Sequence, residues 1–197
     1  MRDDRRADRP RAVCRRDRAQ LSCGPGPVAR RTTIEGFPPI AHRSARVLVL
    51  GSMPSVASLA AGQYYAHPRN QFWPIVGEIC GFDADAGYVR RIARLRAAGI
   101  AVWDVVASCR RAGSLDSAID EWSIVVNPFA EFLAAHRHIE RICFNGRKAE
   151  AAWHRYVRYG LPPSRAVDYR LLPSTSPAHA GMSYARKLAA WRDALAD

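Results

Sequence analysis

The sequence predicts an α/β domain in which a parallel sheet carries helices on both faces. Four short apolar runs of strand character recur along the chain, each bounded by Gly, Pro or charged residues. Stretches with apolar residues at helical spacing lie between them, and strands alternating with helices imply a parallel sheet. The polar clusters follow the ends of the apolar runs, where such sheets place their ligands.

The 197 residues, 48% of them hydrophobic, are enough for one substantial core and too few for two ordinary domains. Residues 1–33 hold ten Arg against four Asp, a net of +6 within a total of +12. With almost no aliphatic content, that segment reads as a disordered basic tail, and residues 34–197 as the folded domain. The charge makes a polyanion the expected macromolecular partner, although solvated Lys/Arg faces are common and charge alone names none. No apolar run approaches the roughly 20 residues of a membrane span. The N-terminus lacks the apolar stretch of a secretory signal. The expected location is the cytoplasm or nucleoid, with no membrane partner.

The elements follow in order. The first apolar run, Arg46–Leu50, leads into GSMPS, and a helix is expected from near Asn70 through QFWPIVGEIC. A second helix covers VRRIARLRAAG, with Gly99 as its stop, before the run Ile100–Val106. NPFAEFLAAHRH begins with Asn127 as cap and Pro128 in the first turn. The third run, Glu140–Asn145, ends in NGRK and passes into the helix RKAEAAWHRYVRY. The fourth, Tyr169–Pro173, runs into LLPSTSPAHAG, and SYARKLAAWRDAL closes the chain as a helix. The cysteines Cys14, Cys23, Cys80, Cys109 and Cys143 form no CxxC pair, are odd in number and suit neither a zinc site nor a disulfide framework. Cys143 reads as a buried, inert thiol, and neither metal nor cofactor is expected.

The segment 51–74 is the richest in chemistry. Gly51 and Pro54 punctuate a strand exit and leave a turn whose backbone N–H groups suit an anion or a carbonyl. Neither Gly-rich nucleotide-binding pattern occurs there. Tyr64, Tyr65, His67, Phe72 and Trp73 crowd this stretch. Core packing accounts equally well for Phe72 and Trp73. Tyr65, beside His67 and Pro68, sits in a loop where flat aromatics stack on ligand rings. The small hydroxyls and prolines of residues 171–181 make a stiff turn able to approach a phosphate backbone closely.

Taken together, GSMPS, YYAHPRNQFW, WDVVASCRRAGSLDSAI and LPSTSPAHA, in this order over roughly 36–195, resemble the uracil-DNA glycosylase superfamily. The nearest likeness is to its hypoxanthine-DNA glycosylase branch and related bacterial uracil-DNA glycosylases. The resemblance implies a three-layer α/β/α sandwich around a four-stranded parallel sheet. It also implies a monofunctional, metal-independent enzyme that flips a deaminated base out of duplex DNA and hydrolyses its glycosidic bond, leaving an abasic site. Uracil is expected first and hypoxanthine next, because Tyr64 and Tyr65 would crowd the pocket mouth. The implied partner is double-stranded DNA carrying a deaminated base, and the expected state is a monomer.

Two positions depart from the superfamily pattern. Met53 stands where the common motif has an Asp or Asn that positions water, and Leu172 stands where many members have a His. Both losses are shared with the hypoxanthine-type branch, in which the Asn of HPRN takes the catalytic part. Asn70 is therefore the expected catalytic residue, with a loop-bracing amide as the alternative. Asp104 reads the base edge and is the second catalytic candidate; a helix cap or a salt bridge to Arg110 or Arg111 is its structural alternative. Gly51, Ser52, Met53, Tyr65 and Phe72 would bind the base, Tyr65 by stacking. DNA contacts are expected from His67, Arg69, Arg111, Ser114, Ser174 and Ser176, with Pro177, Ala178 and His179 as the wedge nearest the gap. No lysine lies in these motifs, so a Schiff-base lyase step is not indicated. A DNA- or lesion-binding module of the same fold without chemistry is the alternative; Met53 and Leu172 would favour it, while Tyr65, Asn70 and Asp104 oppose it.

Overall fold

The computed structural model describes residues 33–113, 118–160 and 166–195. Its strands, in chain order, are β1 (Thr33–Glu35), β2 (Val47–Gly51), β3 (Ile100–Asp104), β4 (Val106–Arg111), β5 (Ile119–Val126), β6 (Arg141–Asn145) and β7 (Asp168–Leu172). The helices are α1 (Val56–Ala61), α2 (Phe72–Cys80), α3 (Tyr88–Ala97), α4 (Phe129–Ala135), α5 (Arg147–Tyr156) and α6 (Tyr184–Leu195).

The four expected runs form one parallel sheet in the order β3-β2-β6-β7. Every residue of β2 and β3 is buried, as continuous apolar strands covered on both faces must be. Leu48, Val49 and Leu50 are fully buried, and each such side chain contributes about 1.5–3 kcal/mol. The chain moves from β2 one way to β3, returns past β2 to β6, and continues outward to β7. Right-handed crossovers then send the two sets of helices to opposite faces. On one side α2 packs against α3 and α6, with α3 on β3 and α6 on β7. On the other α5 covers β2, β6 and β7, and Phe129 of α4 meets Trp153 of α5 edge-on at 4.9 Å. The order reverses between β2 and β6, so the crevice at their carboxyl ends, between Gly51 and Asn145, is where this topology seats a ligand.

Several elements depart from expectation. The run 100–106 is not one strand: Gly51 O accepts from Val105 N at 2.9 Å and Ser52 O from Val106 N at 3.1 Å, which turns the chain out of the parallel sheet at Val105. It continues as β4 in a separate antiparallel sheet of order β1-β4-β5. Helix α1 was not anticipated; the Ser55 side chain caps Ser58 N, and Gly62 closes the helix in the left-handed region at φ 62°. Asn127 is not a side-chain cap, because its Nδ2 donates to Asp104 O at 2.8 Å and Pro128 holds the cap position. Of the expected basic tail, residues 1–32 lie outside the described residues, and Thr33 opens β1 opposite Arg110. Cys109 and Cys143 are buried free thiols, and burial pushes the Cys143 thiol up to about 12. Cys14 and Cys23 lie outside the described residues. Among the described residues no helix is long and apolar enough to cross a membrane.

Candidate active site

A cavity of about 110 Å³ opens at the carboxyl ends of β2, β3 and β6, and its lining includes Gly51, Ser52, Met53, Tyr65, Asn70 and Asp104. Its floor is Gly51. A Cβ there would collide with the Asp104 carboxylate and come within 3.2 Å of Tyr65 Oη. The absent side chain thus lets Asp104, 3% exposed, and Tyr65 converge over the end of the central strand. A slightly larger cavity of about 140 Å³ lies between β5 and α5; half of its lining is Ala, Ile and Val, and its charged groups are Lys148 and the paired Glu121 and Arg155 (2.7 Å). The polar groups that converge over Gly51 make the smaller one the candidate site.

Tyr65 is held in an unusual conformation. Among the described residues it is the one non-glycine with positive φ, 54°, a cost of about 1–3 kcal/mol that persists only where surroundings impose it. Its ring stacks on Phe72 at 4.0 Å between centroids. Phe72 is fully buried, with Trp73 and Trp191 edge-on at 5.1 and 5.8 Å. Phe72 therefore does not bind a base directly, against expectation; it backs Tyr65, because its helix turns it into the core. Tyr65 Oη is buried and makes no well-formed hydrogen bond among the described residues, only a weak contact with the Asn145 amide. Burial raises the phenol above its ordinary range, the Asp104 charge adds to this, and the nearby Asn145 amide opposes it. Tyr64 is 3% exposed, its hydroxyl donating to the Phe37 and Pro38 carbonyls at 3.3 Å. It lines the cavity beside Tyr65 while its ring is held within the core.

Asn70 reaches the cavity with one end committed. Its Oδ1 accepts from Phe72 N at 2.9 Å, bracing the start of α2, which leaves Nδ2 as the group it offers the cavity. Asn145, at the end of β6, was not singled out from the sequence. It lines the cavity and grips Thr175: Oδ1 accepts from Thr175 N and Nδ2 donates to Thr175 Oγ1, both at 2.9 Å. Thr175 is fully buried and its carbonyl accepts from Gln71 N at 3.0 Å. One residue thus ties together the segments that carry Asn70, Asn145 and the Ser174–His179 loop. The signal for Asn145 was its position, since it follows an apolar run that ends in a polar cluster.

The expected DNA contacts divide. His67 and Arg69 do not line the cavity but lie in the segment between Tyr65 and Asn70, which do, with His67 half-buried and Arg69 exposed. Ser174 and Ser176 line it, and their hydroxyl oxygens accept from Ser176 N at 3.2 Å and Ala178 N at 3.3 Å. Ala178 and His179 are exposed and Pro177 is half-buried, so the loop tip faces outward. Lys187, 2% exposed, anchors this tip by donating to His179 O at 2.8 Å. Arg111 is a correction: 3% exposed, it donates through Nη2 to Pro54 O at 2.5 Å and through Nε to Gly113 O at 2.8 Å. It braces the Gly51–Pro54 turn from beneath and does not present its guanidinium to a phosphate. Ser114 lies outside the described residues.

A family model described as the uracil DNA glycosylase superfamily matches residues 38–196. The chain belongs to this superfamily. A hypoxanthine DNA glycosylase of Methanosarcina acetivorans is 36% identical over 155 residues, 77% of this chain and 92% of that protein. One of Methanosarcina barkeri is 32% identical over 164 residues, 82% of this chain and 97% of that protein. Among solved structures, a solution structure of a candidate uracil DNA glycosylase from Methanosarcina acetivorans matches with a TM-score of 0.70 and 31% identity, covering 83% of this chain and 97% of that one. Within the superfamily frame, Met53 is 7% exposed and packs with Val106 and Cys109, and Leu172 is a core residue. Neither brings a polar atom to the cavity. Among the described residues no three His, Cys, Asp or Glu side chains gather into a metal site.

Proposed function

We propose that the chain is a monofunctional DNA glycosylase that acts as a monomer on nucleoid DNA, extruding a deaminated base and hydrolysing its glycosidic bond. The observation that carries this reading is the convergence of Tyr65, Asn70 and Asp104 on one base-sized polar cavity at the switch crevice. A base cannot be attacked at C1′ while stacked, so it must leave the helix at a cost of a few kcal/mol, least for a mispaired deaminated base. Tyr65 supplies the stacking face. As the bond breaks, its electron pair goes to the base and water adds to C1′, one proton of the water leaving for the base or the solvent. The Asn70 Nδ2 donates to the charge that develops on the base, a preorganised donor of the kind worth roughly 3 kcal/mol.

Hypoxanthine is placed first and uracil second. The curated relatives are named hypoxanthine DNA glycosylases. Tyr64 and Tyr65 both line the cavity, and the crowding they impose keeps uracil as the second substrate. Neither Lys148 nor Lys187 lines the cavity, so no amine is poised to form a Schiff base. The test is single-turnover base release from duplexes carrying one hypoxanthine opposite T or one uracil opposite G, with alkaline cleavage of the abasic product. Release of both, hypoxanthine faster, unaffected by EDTA and with no borohydride-trapped adduct, is expected. Tight lesion binding with no release would instead favour the binding module, the reading suggested by apolar Met53 and Leu172.

A further inference from the structure

The Asn145 amide is unable to turn over. A backbone N–H only donates, so the bond from Thr175 N identifies the end facing it as Oδ1, and the bond from Nδ2 to Thr175 Oγ1 fixes the other end. Thr175 has no freedom of its own, being fully buried with its carbonyl bound to Gln71 N. Both bonds to Thr175 use the edge of the amide where the oxygen and one N–H lie side by side. The second Nδ2 hydrogen points away from that edge, and Asn145 borders the cavity beside Tyr65 Oη, the weakly held acceptor whose place an incoming base carbonyl would take. It stands at the end of β6, across Gly51 from Asp104, in the crevice where the strand order reverses.

Deamination replaces an exocyclic amino group with a carbonyl oxygen, a donor with an acceptor at one position. A fixed N–H donor distinguishes the two states: it bonds the carbonyl, and it meets the parent base's amino group hydrogen to hydrogen. An amide free to flip would offer its oxygen to the amino group and lose the distinction. We propose that Asn145, locked by Thr175, is a specificity-determining residue whose remaining Nδ2–H donates to the carbonyl oxygen that deamination creates and opposes the amino group of adenine or cytosine. This rests on the reading of the chain as a glycosylase for deaminated bases.

Binding and release are measured separately. Duplexes with a single 2′-fluoro nucleoside of hypoxanthine, adenine, uracil or cytosine resist cleavage and report recognition alone; unmodified duplexes report release. The wild-type chain is expected to bind hypoxanthine over adenine and uracil over cytosine. Asn145→Ala should reduce those preferences roughly 10- to 100-fold, the scale of one lost base-edge reader. Thr175→Val keeps the side-chain shape but removes Oγ1 and releases one end of the amide, so a smaller loss of preference is expected. A merely structural role would weaken all four duplexes equally. Should Asn145→Ala fail to fold, Asn145→Asp retains the acceptor for Thr175 N, lacks the donor and carries the same test. Preferences unchanged from wild type in a folded Asn145 variant would overturn the proposal. A wild-type chain that prefers deaminated bases in binding yet releases none would sink the catalytic reading and leave this one standing. One that shows neither would sink both.

Discussion

At Asn70 the side-chain oxygen already accepts the Phe72 N–H, so what remains for chemistry is donation from Nδ2. Asn70→Ala should slow single-turnover release about 10²–10³-fold, the effect of losing one preorganised donor. Because it also removes a brace of α2, it should cost about 1 kcal/mol in melting experiments. Asn70→Asp keeps the bond to Phe72 N and loses the donor, so it should not restore release; a rate near wild type would instead give Asn70 the task of orienting water. Tyr65 separates ring from hydroxyl. Its Oη is buried with no well-formed hydrogen bond, only a weak contact with the Asn145 amide, so the hydroxyl adds little to stability. Tyr65→Phe is therefore expected to melt no lower than wild type and to release base within about threefold of it. Tyr65→Ala should weaken lesion-duplex binding roughly 10- to 100-fold by removing the stacking face. Loss of release in a well-folded Tyr65→Phe would show that the hydroxyl itself takes part. Tyr65 and Phe72 are both aromatic in the sequence, where core packing and base binding suited Phe72 equally, and only the fold reveals that α2 turns Phe72 inward beneath the Tyr65 ring.

The loop from Ser174 to His179 owes its position to two buried residues, Thr175 at its root and Lys187 beneath its tip. Burial pulls the Lys187 ammonium below its usual range. The unfolded chain then holds that proton to higher pH than the folded one, so Lys187 makes stability rise with pH between the lowered value and 10.5, its ordinary one. Lys187→Met should abolish this contribution, seen as a smaller rise in urea-derived stability across that window. The same variant releases the His179 carbonyl, and loss of one charged hydrogen bond should raise the Kd for lesion duplex about tenfold while release at saturating protein stays within about threefold. A Kd unchanged from wild type would mean that the tip contributes nothing to binding. Strands β2, β3 and β6 were readable because burial on both faces demands continuous apolar runs, whereas β7, with Tyr169, Arg170 and Leu171 exposed, is apolar mainly where it ends at Leu172. The hairpin of β4 and β5 was not, since β4 mixes buried and exposed residues without a regular period, β5 has no buried residue, and the two include Arg110, Arg111, Asp120 and Glu121. Arg111 illustrates the limit: an arginine beside a second arginine suggests a phosphate contact, and only the path of β4 beneath Pro54 reveals a buried brace.

Charge is the property that belongs to the whole chain. Half of the net +12 lies in residues 1–33, and the other half is carried by the remainder. In the proposed reaction base release depends on the amides, the aromatic ring and the carboxylate of one cavity, and none of those groups depends on long-range charge. Affinity for the DNA backbone does depend on it, because each phosphate neutralised releases counterions and steepens the fall of log K with log salt by about 0.9. Removing residues 1–32 should therefore flatten that slope for undamaged duplex by roughly 2–5, with the upper value reached if the whole net charge of the segment meets phosphates. Single-turnover release at saturating protein should stay within about twofold, and the preference for lesion over undamaged duplex should persist, since phosphate contacts carry no sequence information. Fluorescence anisotropy across a salt series on both chains measures the slope, and alkaline cleavage of labelled duplex measures the rate. A slope identical in the full and shortened chains would place the phosphate contacts entirely on the folded domain, with Arg69 among the first to examine. A shortened chain that melts lower would mean that the segment's residues stabilise the domain, in which case the slope must be compared at a temperature where both are folded.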